Sequence, residues 1–132
     1  MQDFLAAWTP RALSVLRIVA GLVFLEHGTS KLFGFPHTPA FDHLQIMSLI
    51  GLAGVIETFG SALLTLGLFT RIAAFVLSGE RAVAYFMAHF PRGFLPLLNG
   101  GELAVLYCFV FLYLAFAGGG DWSLDRLRRS KA

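Results

Sequence analysis

Apolar residues in this chain gather into four long stretches. They cover residues 12–33, 46–69, 71–90 and 101–117. A helix needs about 20 residues to cross the hydrocarbon core of a bilayer, and each stretch falls close to that length. A helix also satisfies its own backbone hydrogen bonds inside the membrane. The pattern therefore predicts an all-α fold, a four-helix transmembrane bundle.

Turn-forming residues separate the four stretches. A segment rich in Gly and Pro at 34–39 ends the first, residues 91–101 divide the third from the fourth, and three glycines at 118–120 end the last. Only Thr70 and Arg71 separate the second stretch from the third, which predicts a tight antiparallel hairpin.

The composition favours one integral membrane domain over residues 1–132, with a basic tail at 118–132. Hydrophobic residues make up 57% of the chain and charged residues 14%, whereas soluble domains carry about 25% charged residues. Residues 1–10 contain no Lys or Arg, so we expect a retained first span and not a cleaved signal peptide. The single Cys108 excludes an internal disulfide, and a net charge of +2 without a basic stripe argues against a nucleic-acid partner.

Basic residues are distributed unevenly between the two sides of such a bundle. The side that holds both termini carries six of them: Arg11, Arg71, Arg126, Arg128, Arg129 and Lys131. The other side carries only Lys31 and Arg92. Because basic loops stay in the cytoplasm, we expect both termini there and the basic tail on the anionic headgroups of the lipid bilayer.

Ionisable residues recur inside the predicted spans, where each one costs about 2.5–3.5 kcal/mol. Counting a rise of about 1.5 Å per residue places one charge from each helix in a layer about 15–22 Å from the cytoplasmic end. These are Arg81, Glu57, Glu26 and Glu102. Arg81 is the natural counter-ion for Glu57 or Glu26. We predict a ligand or proton pocket in the outer half of the bundle, formed by Glu26, His27, Lys31, Glu57, Arg81, Tyr85, His89 and Glu102.

Several interpretations of this pocket stay open. A quinone headgroup could use the acid–base groups and aromatic slot offered by Glu26, His27, Tyr85 and His89. Midplane carboxylates also suit proton-coupled transport of a small solute, and ion pairs with Arg81 could instead serve only to fix the helix register. No metal site is predicted, because His27 and His89 lack the spacing of dedicated ligands.

Three ordered motifs give the chain a family resemblance. The first span closes on His27-Gly28-Thr29-Ser30-Lys31-Leu32, and the second runs from Glu57 through a Leu-rich segment to Thr70-Arg71. After the fourth span come three glycines and Asp121-Trp122-Ser123-Leu124-Asp125. Over nearly its whole length the sequence resembles the DoxX family of small bacterial membrane proteins, which show a matching HGxxKL segment, a hairpin ending in TR and a terminal SLD.

The resemblance implies a four-helix bundle in the bacterial inner membrane. It nominates Arg17, His27, Lys31, Glu57, Arg71, Glu102 and Asp125. We expect three of these to be structural: the Arg17 side chain snorkels toward the near surface, while Arg71 and Asp125 cap helix ends or pair with each other. The family name comes from a subunit of a thiosulfate:quinone oxidoreductase, and relatives are linked to quinone and thiol redox stress.

One leading hypothesis and two alternatives follow. We expect a redox-associated membrane protein that binds a quinone-like or other small apolar molecule and carries no covalently bound cofactor. The alternatives are a non-enzymatic assembly subunit of a partner oxidoreductase, and a proton-coupled transporter, for which four helices per chain would favour a homo-oligomer. Because the sequence has no flavin, haem or nucleotide motif, an enzyme role would be at most that of a subunit in a quinone-linked oxidoreductase.

Overall fold

The computed structural model describes residues 1–131 and contains helices and no strands within them. Over these residues the α-helices are α1 (Gln2–Phe33), α2 (Leu49–Leu66), α3 (Thr70–Ala84), α4 (Pro96–Asn99), α5 (Glu102–Ala117) and α6 (Leu124–Ser130). A π-helical turn, Tyr85–His89, continues α3, and 3-10 turns lie at Pro39–Phe41 and Phe90–Arg92. The all-α prediction is confirmed. Ala132, the last residue of the predicted tail, lies outside the described residues.

The helices differ in how well each suits a membrane crossing. Within the described residues, α1 and α2 are long and apolar enough to cross a membrane, judged by length and composition. α5 is apolar but has 16 residues, and α3 has 15 residues before its π-helical turn. α1 begins at Gln2 and not at residue 12, because only Pro10 interrupts the helix-compatible sequence before the first span.

Helix ends coincide with residues suited to capping. Gly34 ends α1 and Gly67 ends α2, each in the left-handed conformation that glycine adopts most readily, with φ of 67° and 69°. Ser48 precedes α2 and its hydroxyl accepts a hydrogen bond from the Gly51 N–H at 3.1 Å. α2 therefore begins at Leu49 and not at residue 46.

Close packing joins α1 to α2 and α3 to α5, with further contacts between α2 and α3 and between α1 and α5. Two glycines let α1 approach α2: a Cβ on Gly21 would lie 2.5 Å from Thr65 Oγ1, and one on Gly28 would lie 2.5 Å from the Thr58 backbone nitrogen. The apolar core between the helices consists of Ala20, Phe24, Leu64, Ala74, Leu77, Phe111 and Leu114.

Arg17 joins α1 to the end of α2 and to the segment after α5. Its side chain is fully buried and donates to four carbonyl oxygens, those of Leu64 at 2.6 Å, Thr65 at 2.5 Å, Gly119 at 2.8 Å and Trp122 at 2.5 Å. The expected snorkelling does not occur. The last carbonyl oxygens of a helix have no partner within it, so the end of α2 offers acceptors that hold the guanidinium inside.

Arg71 lies at the start of α3 and caps the end of α5. Its Nη1 donates to the carbonyl oxygens of Ala115, at 3.2 Å, and of Phe116. A cation near the last carbonyls of a helix is favoured by the helix dipole. The side chain therefore fastens α3 to α5 at the end of the molecule that also holds Arg17.

Asp125, on α6, caps the start of α3. Its two carboxylate oxygens accept hydrogen bonds from the backbone N–H groups of Phe69 and Thr70, each at 2.8 Å. Burial raises the pKa of this carboxyl, but the hydrogen bonds from Thr70 and Phe69 and the charge of Arg129 outweigh that effect, and the net pKa lies below its ordinary value. Among the described residues, Asp125 forms no ion pair with Arg71.

Candidate functional site

Four charged side chains meet between α1, α2 and α3. This ion-pair cluster consists of Lys31, Glu57, Glu80 and Arg81. Glu57 is fully buried at its centre, and Lys31 Nζ donates to its two carboxylate oxygens at 2.7 and 2.6 Å. Arg81 Nη2 donates to Glu57 Oε1 at 2.5 Å, and Arg81 also donates to both oxygens of Glu80, through Nε at 2.6 Å and through Nη2.

The ion-pair cluster is balanced in charge, with two acids and two bases. Each carboxylate has a cation within hydrogen-bonding distance, which offsets the cost of removing both charges from water. The sequence had named Glu57 or Glu26 as the natural partner of Arg81, and the structure pairs Arg81 with Glu57. The structure adds Lys31, which is not a member of the predicted layer of charges, because its four-carbon side chain can reach toward α2.

His27 lies beside this cluster in a group of aromatic rings. Its ring stacks on Phe24 with centroids 5.1 Å apart and meets the edge of Tyr107 at 6.0 Å. The Arg81 guanidinium carbon lies 4.9 Å from the Phe24 ring centroid, a cation–π contact that links the rings to the cluster. Within the described residues, His27 Nδ1 is buried and has no hydrogen-bond partner.

A cleft of about 1050 Å³ opens beside the ion-pair cluster, mainly between α2 and α3. Ionisable side chains line one part of it, namely His27, Lys31, Glu80, Arg81 and His89. Most of the remaining lining is apolar, and several of these side chains are more than two-fifths exposed, including Leu49, Leu52, Phe75, Val83 and Met87. The cleft therefore runs from an apolar flank of the molecule to a charged inner wall.

Tyr85 and His89 belong to a second polar group, centred on Asn99. The Asn99 amide nitrogen donates to Tyr85 Oη at 3.2 Å and to the Gly93 carbonyl oxygen at 2.8 Å, and Tyr85 Oη donates to the Phe94 carbonyl oxygen at 3.0 Å. His89 Nδ1 lies 3.2 Å from the Asn99 carbonyl oxygen. His89 also lines the cleft, whereas Tyr85 does not, and its hydroxyl instead holds the segment that leads to α5 through the Phe94 carbonyl oxygen.

Glu26 and Glu102 lie outside the ion-pair cluster and do not line the cleft. Both residues are exposed, and neither forms an ion pair within residues 1–131. Successive helical residues point about 100° apart, so Glu26 lies on a different face of α1 from the cleft-lining His27. Glu102 is in the first turn of α5, where the helix dipole favours a carboxylate. The four charges predicted to form one layer therefore do not lie together, since Glu57 and Arg81 are in the ion-pair cluster and the other two are outside it.

Sequence reasoning missed several residues of this region. Phe24 and Tyr107 pack against His27, and Asn99 lies at the centre of the second polar group. The i, i+3 spacing of Phe24 and His27 was the available signal for a shared helix face. Within the described residues, no group of three or more His, Cys, Asp or Glu side chains is arranged to hold a metal ion.

The sequence matches a known protein family and two relatives from bacteria. The sequence model of the DoxX family matches residues 12–90. The chain belongs to the DoxX family. A Haemophilus influenzae relative described as an uncharacterized protein is 47% identical over 125 residues, which cover 92% of this chain and 93% of that relative. No solved structure gives a significant match.

A second DoxX-type relative supports the membrane assignment. An uncharacterized membrane protein of Mycobacterium tuberculosis is 30% identical over 139 residues, covering 93% of this chain and 85% of its own length. This chain is accordingly a DoxX-family membrane protein. The matched range contains all four members of the ion-pair cluster, whereas Glu102 and Asp125 lie beyond it.

Proposed function

We propose that this DoxX-family protein crosses the bacterial cytoplasmic membrane four times, with both termini in the cytoplasm, and binds a small lipid-soluble molecule of the quinone class. The crossings are α1, α2, α3 with its π-helical turn, and α5. The observation that carries the binding proposal is the cleft, which has an apolar flank and the ion-pair cluster on its inner wall.

The apolar flank supports a ligand that arrives from the lipid. Exposed side chains on both walls, such as Leu52 on α2 and Val83 on α3, would face acyl chains in a membrane. A hydrophobic ring or tail could pass between these helices without crossing water. The volume of about 1050 Å³ is at the upper end of ordinary ligand pockets, about 300–1,000 Å³.

The inner wall supports a ligand with a neutral, hydrogen-bonding head. Arg81 and Lys31 are donors that could bind the carbonyl oxygens of a quinone, and His27 has a nitrogen without a partner. Because Lys31 and Arg81 are already neutralised by Glu57 and Glu80, a carboxylate ligand would have to compete with existing ion pairs. A neutral quinone head would not.

The two alternatives gain less support. Proton-coupled transport was suggested by a cluster of midplane carboxylates, but Glu26 and Glu102 lie outside the ion-pair cluster, whose two carboxylates are both paired with cations. An assembly role with a partner oxidoreductase remains compatible with the exposed apolar surface, although no particular contact favours it. Under the leading proposal, such a partner would supply the electrons for any quinone chemistry.

Matched tryptophan substitutions test the proposal. Val83 and Val19 are 56% and 53% exposed, but only Val83 lines the cleft. We expect Val83→Trp to weaken binding of a short-chain ubiquinone analogue at least tenfold, measured by calorimetry with the purified protein in nanodiscs, while Val19→Trp binds like the wild type. Absence of binding to the wild type, or equal binding by both variants, would contradict the proposal.

A further inference from the structure

The C-terminal segment is fastened to the rest of the molecule at many points. Asp125 N–H donates to the Gly67 carbonyl oxygen at 2.9 Å, while the Asp125 carboxylate caps α3. Asp121 N–H donates to the Pro10 carbonyl oxygen at 3.2 Å, and Arg17 holds the Trp122 carbonyl oxygen at 2.5 Å. α6 is therefore a fixed part of one end of the protein and not a loose basic tail. We call this end, formed by residues 8–11, 67–71 and 118–131, the basic end.

Three arginines of the basic end are exposed and have no ion-pair partner within residues 1–131: Arg11, Arg128 and Arg129. The other nearby arginines are engaged, since Arg126 pairs with Asp121 and Arg71 caps α5. The three guanidinium groups thus retain donors for an external anion.

Aromatic rings support two of these guanidinium groups. The Arg11 Cζ lies 4.6 Å from the Trp8 ring centroid, and the Arg128 Cζ lies 4.9 Å from the Phe69 ring centroid. Trp8 is 45% exposed and Phe69 49% exposed, so each arginine sits over a partly exposed apolar ring. Leu127 adds an exposed apolar side chain on α6. This combination suits the boundary between acyl chains and headgroups.

The opposite end offers no comparable set within the described residues. Lys31 forms an ion pair with Glu57. Arg92 donates to the Ala88 carbonyl oxygen through Nη2 at 2.8 Å and through Nε at 3.1 Å. His37 forms a pair with Asp42 at 2.8 Å. Within residues 1–131, and apart from the arginine that caps α5, the basic end thus has three arginines without an ion pair, whereas the opposite end has one, Arg92.

We infer that the basic end is a binding surface for anionic phospholipid headgroups, with Arg11, Arg128 and Arg129 as the phosphate-binding residues. The inference rests on the membrane placement proposed above and is independent of the cleft. A guanidinium binds phosphate oxygens with paired donors, and the rings beneath it contact the adjoining acyl region. A soluble phosphate would use the same donors but gain nothing from the exposed rings and Leu127, so the lipid is the favoured source of the anion.

The test compares phosphatidylglycerol with phosphatidylcholine on the purified full-length protein. Native mass spectrometry and thermal unfolding would report how much lipid is retained and how far it raises the melting temperature. We expect phosphatidylglycerol to bind more tightly, and R128Q/R129Q to weaken that preference by about fivefold for each arginine. R128K/R129K should keep most of it, and Arg92→Gln, at the opposite end, should keep all of it.

Three results would overturn the inference. They are equal retention of the two lipids, wild-type retention by R128Q/R129Q, and equal loss with Arg92→Gln. Glycerol phosphate at matched concentration distinguishes a soluble anion from a lipid, since equal stabilisation by it would also overturn a lipid site. Because the cleft is not involved, binding of the quinone analogue should be unchanged in R128Q/R129Q, and the two proposals can fail separately.

Discussion

Lys31 and Glu57 form a two-pronged ion pair between α1 and α2, with Lys31 Nζ 2.7 and 2.6 Å from the two carboxylate oxygens. The Glu57 side chain has no exposed surface, and Arg81 of α3 binds the same carboxylate. One acidic side chain thus fixes three helices around the inner wall of the cleft. The cluster is at once a structural junction and the polar boundary of the proposed ligand site.

Removal of the central charge should destabilise the protein strongly. Glu57→Gln leaves Lys31 without a buried counter-ion, and breaking one partner of a buried pair costs about 3–5 kcal/mol. Thermal unfolding in detergent would measure the loss. Glu26→Gln is the matched control, because Glu26 is exposed and forms no ion pair within residues 1–131. Equal stability of the two variants would contradict the assigned role of Glu57.

Arg17→Lys should also destabilise the protein although it preserves the charge. The guanidinium reaches four carbonyl oxygens through three nitrogens, and a single ammonium group cannot reproduce that geometry. We expect a loss of at least about 2 kcal/mol, from hydrogen bonds to a charged group worth about 1.5–3 kcal/mol each. Arg92→Lys, at an exposed arginine that donates only to Ala88, should change stability little. A small effect at both positions would show that Arg17 is not a junction.

Gly28→Ala should loosen the contact between α1 and α2. The added Cβ would lie 2.5 Å from the Thr58 backbone nitrogen, so the helices would have to separate. Such overpacking costs about 1–3 kcal/mol. A Cβ on Gly79 meets no atom within 4 Å, and Gly79→Ala should therefore be neutral or slightly stabilising. The contact is misassigned if chemical denaturation ranks these two variants in the opposite order.

Asp125→Ala should reduce stability in a pH-dependent way. Loss of a helix cap costs about 0.5–2 kcal/mol. The folded pKa of Asp125 lies below its ordinary value, so its contribution is complete above about pH 3.9 and is lost as the pH falls through the folded pKa. The difference in melting temperature between variant and wild type should be present at pH 7. It should narrow below about pH 3.9, because protonation of Asp125 then removes the stabilising carboxylate from the wild type as well. A difference of the same size at pH 7 and in strong acid would rule out an ionised cap.

The sequence predicted four of the six α-helices of the described residues, because these four depend on apolar runs and local capping patterns, and it missed the short α4 and α6. Apolar runs, Gly34, Gly67 and Ser48 together define most of the helix bounds. The candidate site was predicted less completely, since counting residues from one end of a helix gives depth but not the face on which a side chain lies. Glu26 and Glu102 belonged to the predicted layer but are exposed and lie outside the cluster, whereas Lys31 joins the cluster from outside that layer.

Hydrogen bonds between a side chain and the backbone of a distant segment were also not predictable from the sequence. Nothing local in the sequence signals that Arg17 binds carbonyl oxygens at the end of α2, or that Asp125 caps α3 from 55 and 56 residues away. Backbone carbonyl and amide groups are present at every position, so only the tertiary arrangement determines which of them accept or donate to a side chain. Residues that pair with side chains, such as Glu57 and Arg81, were easier to anticipate because opposite buried charges must meet.

Cross-linking with a photoreactive quinone analogue tests the central claim most directly. The analogue would be incorporated into membranes that contain the protein, and labelled peptides would be mapped by mass spectrometry. We predict labels on the cleft walls, within residues 49–56 and 75–89, with excess unlabelled quinone or Val83→Trp suppressing them. Labelling concentrated on exposed residues of α5 outside the cleft, such as Phe109 and Phe116, or labelling that excess quinone leaves unchanged, would contradict the account.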